Sequence, residues 1–191
     1  ELKNFLDNVP NNIVVVLDEA YDEYLKDDLK SNAFEWLHEY KNLIVSRSFS
    51  KAYGLAGLRI GYGAGNPELI EMMNRVRQPF NVNHLAQVSA TASLKDRDFI
   101  KESRIDNNIG MKQLTDAFKS LDLEFIPSYG NFVSFKLEDE KTAMMYYQHL
   151  LNNGVIVRPI ANYDLPKFLR VSVGLEHEND TFIKYLSNCN I

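Results

Sequence analysis

The chain has 191 residues, of which 45% are hydrophobic and 25% charged, a composition typical of a globular protein. Its net charge of -5 gives no sign of nucleic-acid binding, and its longest aliphatic run, residues 13–17, is far shorter than the ~20 residues of a membrane span. A single cysteine, Cys189, provides no disulfide framework and no thiolate metal cluster. We therefore expect a cytoplasmic globular protein without a metal site, with neither nucleic acid nor membrane as a partner.

The first half of the chain alternates strand and helix signals. A continuous β-branched run at residues 13–17 predicts a strand buried on both faces of a parallel sheet. Asn66-Pro67-Glu68 combines a helix N-cap, a proline at the first helical position and an acid, which predicts a helix ending at Val76. Strands separated by helices indicate an α/β layer. The other elements predicted here are strands at 43–46 and 58–62 and helices at 31–40 and 84–94.

The second half of the sequence has a different pattern, which predicts a smaller α+β unit after a long helix. That helix is predicted at residues 98–121, and Gly154 is expected to end a later helix as its C′ residue. We place the division between residues 1–100 and 101–191. The remaining predicted elements are strands at 123–126, 131–137, 155–157 and 168–173 and helices at 140–152 and 179–186.

Three polar features follow predicted strands, where ligands bind in open α/β sheets. Asp18 closes the first strand, residues 46–51 (SRSFSK) follow the second, and Arg59 lies within a stretch that holds five of the nine glycines. Each feature has an ordinary structural explanation: a turn cap for Asp18, a solvated polar loop for the serines and lysine, and a packed surface arginine for Arg59. Together they supply an amine, a carboxylate, hydroxyls and a guanidinium, which are the groups needed to hold pyridoxal phosphate.

The segments DEAYDEY at 18–24 and SFSKAYGLAGLRIGY at 48–62 resemble the signature of fold-type I, class II aminotransferases, most closely the histidinol-phosphate aminotransferases. Shorter similarities follow in the same order along nearly the whole chain, including GVIVR at 154–158 and LRVSVG at 169–174. The resemblance implies part of the large α/β domain with a mixed or parallel sheet (1–100), followed by a linking helix and the small C-terminal α+β domain (101–191).

Carried over by position, the resemblance assigns three residues to the centre of the cofactor site. Lys51 matches the lysine that forms the Schiff base with pyridoxal 5'-phosphate and then moves the proton at the substrate α-carbon. Asp18 matches the aspartate that keeps the pyridine nitrogen protonated, and Tyr21 matches the tyrosine that donates a hydrogen bond to the ring oxygen.

Five further residues match positions that bind anionic groups. Ser48, Ser50 and Arg59 correspond to the anchors of the cofactor phosphate. Arg170 corresponds to the arginine that grips the substrate carboxylate, and Arg158 resembles a second substrate arginine that reads the phosphate of histidinol phosphate, although a purely structural role is an equal alternative.

The resemblance also implies the reaction, the exchange of an amino group between L-histidinol phosphate and 2-oxoglutarate in histidine biosynthesis by a homodimer. The chain begins at Glu1 without Met and lacks the amino-terminal half of the family, so we expect a carboxyl-terminal fragment that is inactive alone. The alternatives are an aromatic-amino-acid aminotransferase or a threonine-phosphate decarboxylase on the same scaffold, or a folded domain without catalytic activity.

Overall fold

The structure is a computed structural model that describes residues 1–189. The chain divides into two compact units, Glu1–Ile100 and Lys101–Ile191. No helix within the described residues is long and apolar enough to cross a membrane.

The first unit contains a three-stranded mixed sheet in the order β1-β2-β3. Strand β1 (Val15–Asp18) runs parallel to β2 (Leu43–Ser48), whereas β3 (Gly61–Gly65) runs antiparallel to β2. The register places Asp18 opposite Ser46, so the carboxyl ends of β1 and β2 lie side by side. The helices of this unit are α1 (Leu2–Asn8), α2 (Ala33–Trp36), α3 (Pro67–Val76) and α4 (His84–Ser93).

The first unit has a small core on one face of β2. Leu43 and Val45 are fully buried and pack against Leu6 and Ala33. The expectation that the first strand would be buried on both faces was wrong, because Val15 and Leu17 on one face are partly buried whereas Val16 on the other face is 61% exposed.

The third strand also differs from the sequence prediction. It was expected at residues 58–62 in a parallel sheet, but β3 begins at Gly61 and is antiparallel. A 3-10 turn at Ala56–Leu58 and the left-handed backbone of Arg59 (φ 52°) occupy the start of the predicted segment. The chain therefore reverses direction before β3 begins.

The second unit contains a four-stranded antiparallel sheet in the order β4-β5-β7-β6. The predicted strand at 155–157 lies instead at 158–160, where Pro159 is tolerated because β6 is an edge strand that need not donate a hydrogen bond at every residue. The strands of the second unit are β4 (Phe125–Ile126), β5 (Phe132–Lys136), β6 (Arg158–Ile160) and β7 (Leu165–Ser172). Its helices are α6 (Glu140–Asn152), α7 (Glu176–Ser187) and α5 (Arg97–Ser120), which begins in the last residues of the first unit.

The core of the second unit lies between this sheet and its helices. Phe118 of α5 is stacked on Phe135 of β5, with ring centroids 4.9 Å apart, and meets the edge of Phe182 of α7. Leu150 of α6 and Leu169 of β7 are also fully buried in this cluster. Gly154 ends α6 with φ 78°, a left-handed conformation that favours glycine.

Candidate functional site

A cavity of about 330 Å³ lies in the first unit where β1 and β2 end. Its position follows from the parallel pairing of these strands, which brings the residues that follow them to one edge of the sheet. The cavity brings together four of the residues that the sequence predicted for a cofactor site, namely Asp18, Ser48, Ser50 and Arg59. Its other lining residues are Ala20, Ser46, Arg47, Ile60 and Gly61.

The carboxylate of Asp18 marks one side of this cavity. Its Oδ1 accepts a hydrogen bond from the backbone N–H of Ala20 (3.0 Å) and lies 3.5 Å from the hydroxyl of Ser46. The first contact is the turn cap that was the alternative explanation for Asp18. Because Asp18 is also exposed and lines the cavity, its carboxylate can accept a further hydrogen bond from a ligand.

Hydroxyls and a guanidinium occupy another part of the cavity wall. Ser48 Oγ accepts the backbone N–H of Ser50 (3.0 Å), so the chain folds back on itself directly after β2. Arg59 Nη1 donates to the carbonyl of Ala56 (2.9 Å) and lies 3.5 Å from Ser50 Oγ. Within residues 1–189 no carboxylate forms an ion pair with Arg59, so its charge is open to an anion.

Arg59 also has a backbone conformation that is uncommon for a side chain of its size. Its φ of 52° lies in the left-handed region, which is energetically costly for a residue other than glycine and is concentrated at functional sites. At Gly61, a Cβ would lie 2.7 Å from the carbonyl oxygen of Arg47, so only glycine allows β3 to approach β2 so closely at the cavity wall.

Lys51 and Tyr21 lie next to each other beside these groups. Lys51 Nζ is 5.2 Å from the centroid of the Tyr21 ring, within the range of a cation–π contact. Both side chains are partly buried, and Lys51 directly follows Ser50 of the cavity wall. The amine and the phenol are therefore held close together at the edge of the sheet that carries Asp18.

Sequence reasoning missed an ion-pair network next to the cavity. Arg47 Nη2 lies 2.8 Å from Glu19 Oε2 and 3.1 Å from Asp22 Oδ2, and both carboxylate side chains are only 7% exposed. The signal was present, because an arginine inside a strand and three acids within five residues need partners if they are buried. Burial raises the pKa of Asp22, against the lowering effect of Arg47, and burial also raises the pKa of Glu23.

The two predicted substrate arginines lie in the second unit, on neighbouring strands. Arg158 of β6 and Arg170 of β7 are directly opposite each other in the register. Arg170 lies over the ring of Phe132 (4.6 Å to the centroid), and Arg158 lies over Tyr163 (5.7 Å). Like charges placed opposite each other in a sheet are destabilising, so an anion bound beside both arginines would reduce their repulsion. Neither arginine forms an ion pair with a carboxylate in the part of the chain that the structure describes.

Comparison of the sequence with known proteins identifies a family of aminotransferases. The sequence matches the family "Aminotransferase class I and II" over residues 1–186. It is 56% identical over 185 residues to a histidinol-phosphate aminotransferase of Methylobacillus flagellatus and 52% identical over 186 residues to one of Cupriavidus pinatubonensis. Each alignment covers 97% of this chain and 50% of the relative, so the chain spans about half the length of the curated relatives it matches.

Solved structures agree with this result and confirm the expected fold class. The histidinol-phosphate aminotransferase of Sinorhizobium meliloti in complex with pyridoxal-5'-phosphate is 29% identical, with a TM-score of 0.91 over 98% of this chain and 51% of that one. The enzyme of the same name from Clostridium acetobutylicum is 25% identical, with a TM-score of 0.88 over 98% of this chain and 57% of that one. The chain therefore belongs to the family of class I and II aminotransferases.

Proposed function

We propose that this chain is the lysine-bearing part of a pyridoxal-phosphate-dependent aminotransferase that exchanges an amino group between L-histidinol phosphate and 2-oxoglutarate, giving imidazole acetol phosphate and glutamate. The observation that carries the proposal is the cavity in which Asp18, Ser48, Ser50 and Arg59 converge beside Lys51 and Tyr21. The proposed substrate is inferred from two curated relatives that are 56% and 52% identical to this chain in sequence and bear the name histidinol-phosphate aminotransferase.

The chemistry of the lining residues fits the cofactor. Pyridoxal phosphate, when bound, supplies an aldehyde that condenses with amines and a pyridine ring that withdraws electrons from the neighbouring carbon. The hydroxyls of Ser48 and Ser50 and the guanidinium of Arg59 would bind the phosphate, because these groups donate hydrogen bonds to phosphate oxygens. The carboxylate of Asp18 would accept the N–H of the pyridine ring and keep that nitrogen protonated.

The remaining site residues would hold and move protons or bind the substrate. The amine of Lys51 would hold the cofactor aldehyde and then act as the base that moves the α-proton. The hydroxyl of Tyr21 would donate to the ring oxygen. The guanidinium groups of Arg170 and Arg158 would bind the carboxylate and the phosphate of the two substrates, as their opposed position suggests.

The proposal extends to the domains, assembly and location of the protein. Residues 1–100 would form the carboxyl-terminal part of the cofactor-binding domain, and residues 101–191 the linking helix and small domain. The resemblance to histidinol-phosphate aminotransferases implies a homodimer, so we propose a homodimer in the cytoplasm for the complete enzyme. The chain alone would bind cofactor weakly and be inactive.

The test uses this chain joined to the part of the Methylobacillus flagellatus relative that it does not cover. After loading with pyridoxal phosphate, borohydride reduction and peptide mapping should find the pyridoxyl group on Lys51. Lys51→Ala should abolish this labelling, whereas Lys41→Ala, a matched change at an exposed lysine of the same unit, should not. Labelling without any preference for Lys51 would contradict the cofactor assignment.

The substrate is tested in the same joined protein by following the absorbance of the bound cofactor. Addition of L-histidinol phosphate should change this absorbance rapidly, and phenylalanine should change it slowly or not at all. A response mainly to phenylalanine would replace the proposed substrate with an aromatic amino acid and leave the cofactor residues in place. Release of carbon dioxide from threonine phosphate would instead indicate a decarboxylase.

A further inference from the structure

The side chain of Arg47 connects the ends of the two parallel strands of the first unit. Its Nε and Nη2 donate to Glu19 Oε2 at 3.0 and 2.8 Å, and Nη2 lies 3.1 Å from Asp22 Oδ2. Arg47 is in β2, whereas Glu19 and Asp22 follow β1. The three side chains are 22%, 7% and 7% exposed, so the contacts are shielded from water. Buried charges of this kind require their partners to remain in place.

Three more contacts fix the same guanidinium and its main partner, Glu19. Arg47 lies over the face of Phe34, 4.6 Å from the ring centroid, and Ser31 donates its hydroxyl to the other oxygen of Glu19. The backbone N–H of Glu19 also donates to the carbonyl of Ser46 at 2.9 Å. The network therefore joins three separate segments of the chain: β2, the segment after β1, and the region around the start of α2.

The place of these residues in the sequence connects the network to the cavity. Glu19 lies directly after Asp18 and two residues before Tyr21, and Arg47 directly precedes Ser48 and lies four residues before Lys51. Along a strand successive side chains point to opposite faces, so the side chain of Arg47 points away from those of Ser46 and Ser48, although Arg47 is also one of the residues that line the cavity. A fixed Arg47 therefore determines how the serines and the following turn are presented.

We infer that Arg47 is a positioning residue for the cofactor site, which acts by holding the turn with Ser50 and Lys51 against the segment with Asp18 and Tyr21. The role of Arg47 in cofactor binding rests on the proposed function, whereas its role in holding the turn rests on the contacts described above. A forked guanidinium is needed because it bonds Glu19 through two nitrogens while it reaches Asp22, and the single ammonium of a lysine cannot reproduce both contacts.

The first experiment needs no cofactor and uses the chain itself. Three backbone N–H groups report on the turn: Phe49 bonded to Ile60, Gly54 bonded to Lys51, and Leu55 bonded to Phe49. In Arg47→Gln, hydrogen exchange at these amides should be faster by at least about tenfold, because two buried carboxylates lose their partner, while exchange in β5 and β7 stays unchanged.

Two further variants keep the first experiment decisive. Arg75→Gln removes an arginine of the same unit whose ion pair with Glu71 is exposed, and it should leave exchange in the turn unchanged. Arg47→Lys keeps the charge and should accelerate hydrogen exchange in the turn less than Arg47→Gln does. This smaller acceleration can still be measured if Arg47→Gln fails to fold. Unchanged exchange in the turn, or equal acceleration at all amides of the first unit, would overturn the positioning role.

The second experiment connects the geometry to the cofactor in the joined protein described above. The readout is the concentration of pyridoxal phosphate that labels half of Lys51 after borohydride reduction. Arg47→Lys should raise this concentration by about tenfold or more, and Arg75→Gln should not change it. An unchanged value for Arg47→Lys would overturn the inference. Absence of Lys51 labelling in the unsubstituted protein, with local acceleration of exchange in the variants, would instead refute the proposed function and leave Arg47 as the residue that positions the turn.

Discussion

The two units of the chain differ in how many large apolar side chains they bury completely. In the second unit, Phe118, Phe135 and Leu169 are fully buried in one core that joins the sheet to its helices. In the first unit, the largest fully buried apolar side chains are Leu43 and Val45. Both units also leave large apolar side chains on the surface, such as Phe80 (97% exposed) in the first and Ile156 (81% exposed) in the second. The first unit carries the polar cavity, whereas the second carries most of the packing. Substitutions in the buried core of the second unit should therefore act mainly on stability, and those around the cavity mainly on ligand binding.

The largest expected effect on stability is in the core of the second unit. Phe118→Ala removes a fully buried ring that contacts Phe125, Phe135 and Phe182, and it should cost about 3–5 kcal/mol of unfolding free energy. Urea denaturation followed by far-UV circular dichroism measures this loss. Phe80→Ala is the matched control, because deletion of an almost completely exposed ring should change the stability by less than about 0.5 kcal/mol.

Tryptophan fluorescence, measured in the same urea titration, distinguishes the unfolding of the first unit from that of the second. The only tryptophan of the sequence, Trp36, packs against the small core of the first unit, so its fluorescence reports on that unit. In Phe118→Ala the circular dichroism transition should move to lower urea while the Trp36 transition stays in place. A shift of equal size in both signals would show that the two units unfold together, and the comparison between them would fail.

The elements that were predicted most accurately from the sequence are those whose ends are determined by neighbouring residues in the chain. Helix α3 has the predicted bounds, because Asn66 accepts the N–H of Glu68 and proline occupies the first helical position. Strand β3 was shifted, because its sequence GYGAG has few apolar side chains and its pairing with β2 determines where it lies. Helix α7 begins at Glu176, three residues earlier than predicted, where Glu178 accepts the N–H of Leu175.

The candidate site was predictable where single residues match the family signature. Asp18, Ser48, Ser50 and Arg59 were named from the sequence, and the structure brings them to one cavity, while their roles stay predictions. The partner of Arg47 was not predictable, because an ion pair between residues 28 positions apart depends on the parallel pairing of β1 and β2. The local sequence pattern shows that a buried charge needs a partner, but it does not show which residue provides that partner.

A smaller effect on stability is expected from a substitution at Gly110, where helix α5 packs closely against the segment after β7. A Cβ at Gly110 would lie 2.5 Å from Val173 Cγ1 and 2.8 Å from Asn179 Nδ2. Replacement of a helical glycine by alanine ordinarily stabilises a protein by about 1 kcal/mol. Here Gly110→Ala should instead destabilise the second unit by about 1–3 kcal/mol, because the packed neighbours must move. Circular dichroism in urea measures this change.

The first unit provides the matched control for this glycine. No heavy atom lies within 4 Å of a Cβ at Gly57. Gly57→Ala should therefore leave the Trp36 transition unchanged or raise the stability of the first unit by up to about 1 kcal/mol. A stabilising Gly110→Ala would show that the second unit is less tightly packed than the structure indicates, and it would remove the contrast between the units.

The smallest expected effect concerns the acids beside Arg47 and appears as a dependence of stability on pH. Burial raises the pKa of Glu23 above its ordinary value of 4.5, and Glu23 Oε2 is buried without a hydrogen-bond partner among the described residues. The folded chain therefore binds more protons than the unfolded chain as the pH rises from the ordinary pKa to the raised one. Within that window the stability of the first unit should fall with increasing pH.

Glu23→Gln tests this sign, because the variant loses the titrating group and should lose less stability than the original chain as the pH rises through that window. The difference should stay below about 1 kcal/mol, since solvent still reaches this partly buried side chain. Urea denaturation followed by Trp36 fluorescence at a series of pH values measures it, and Asp28→Asn, a change at an exposed acid nearby, controls for the loss of one negative charge. If the stability of Glu23→Gln falls more steeply with pH than that of the original chain, Arg47 stabilises the charged form of Glu23 more than burial disfavours it. The network around Arg47 would then contain three carboxylates instead of two.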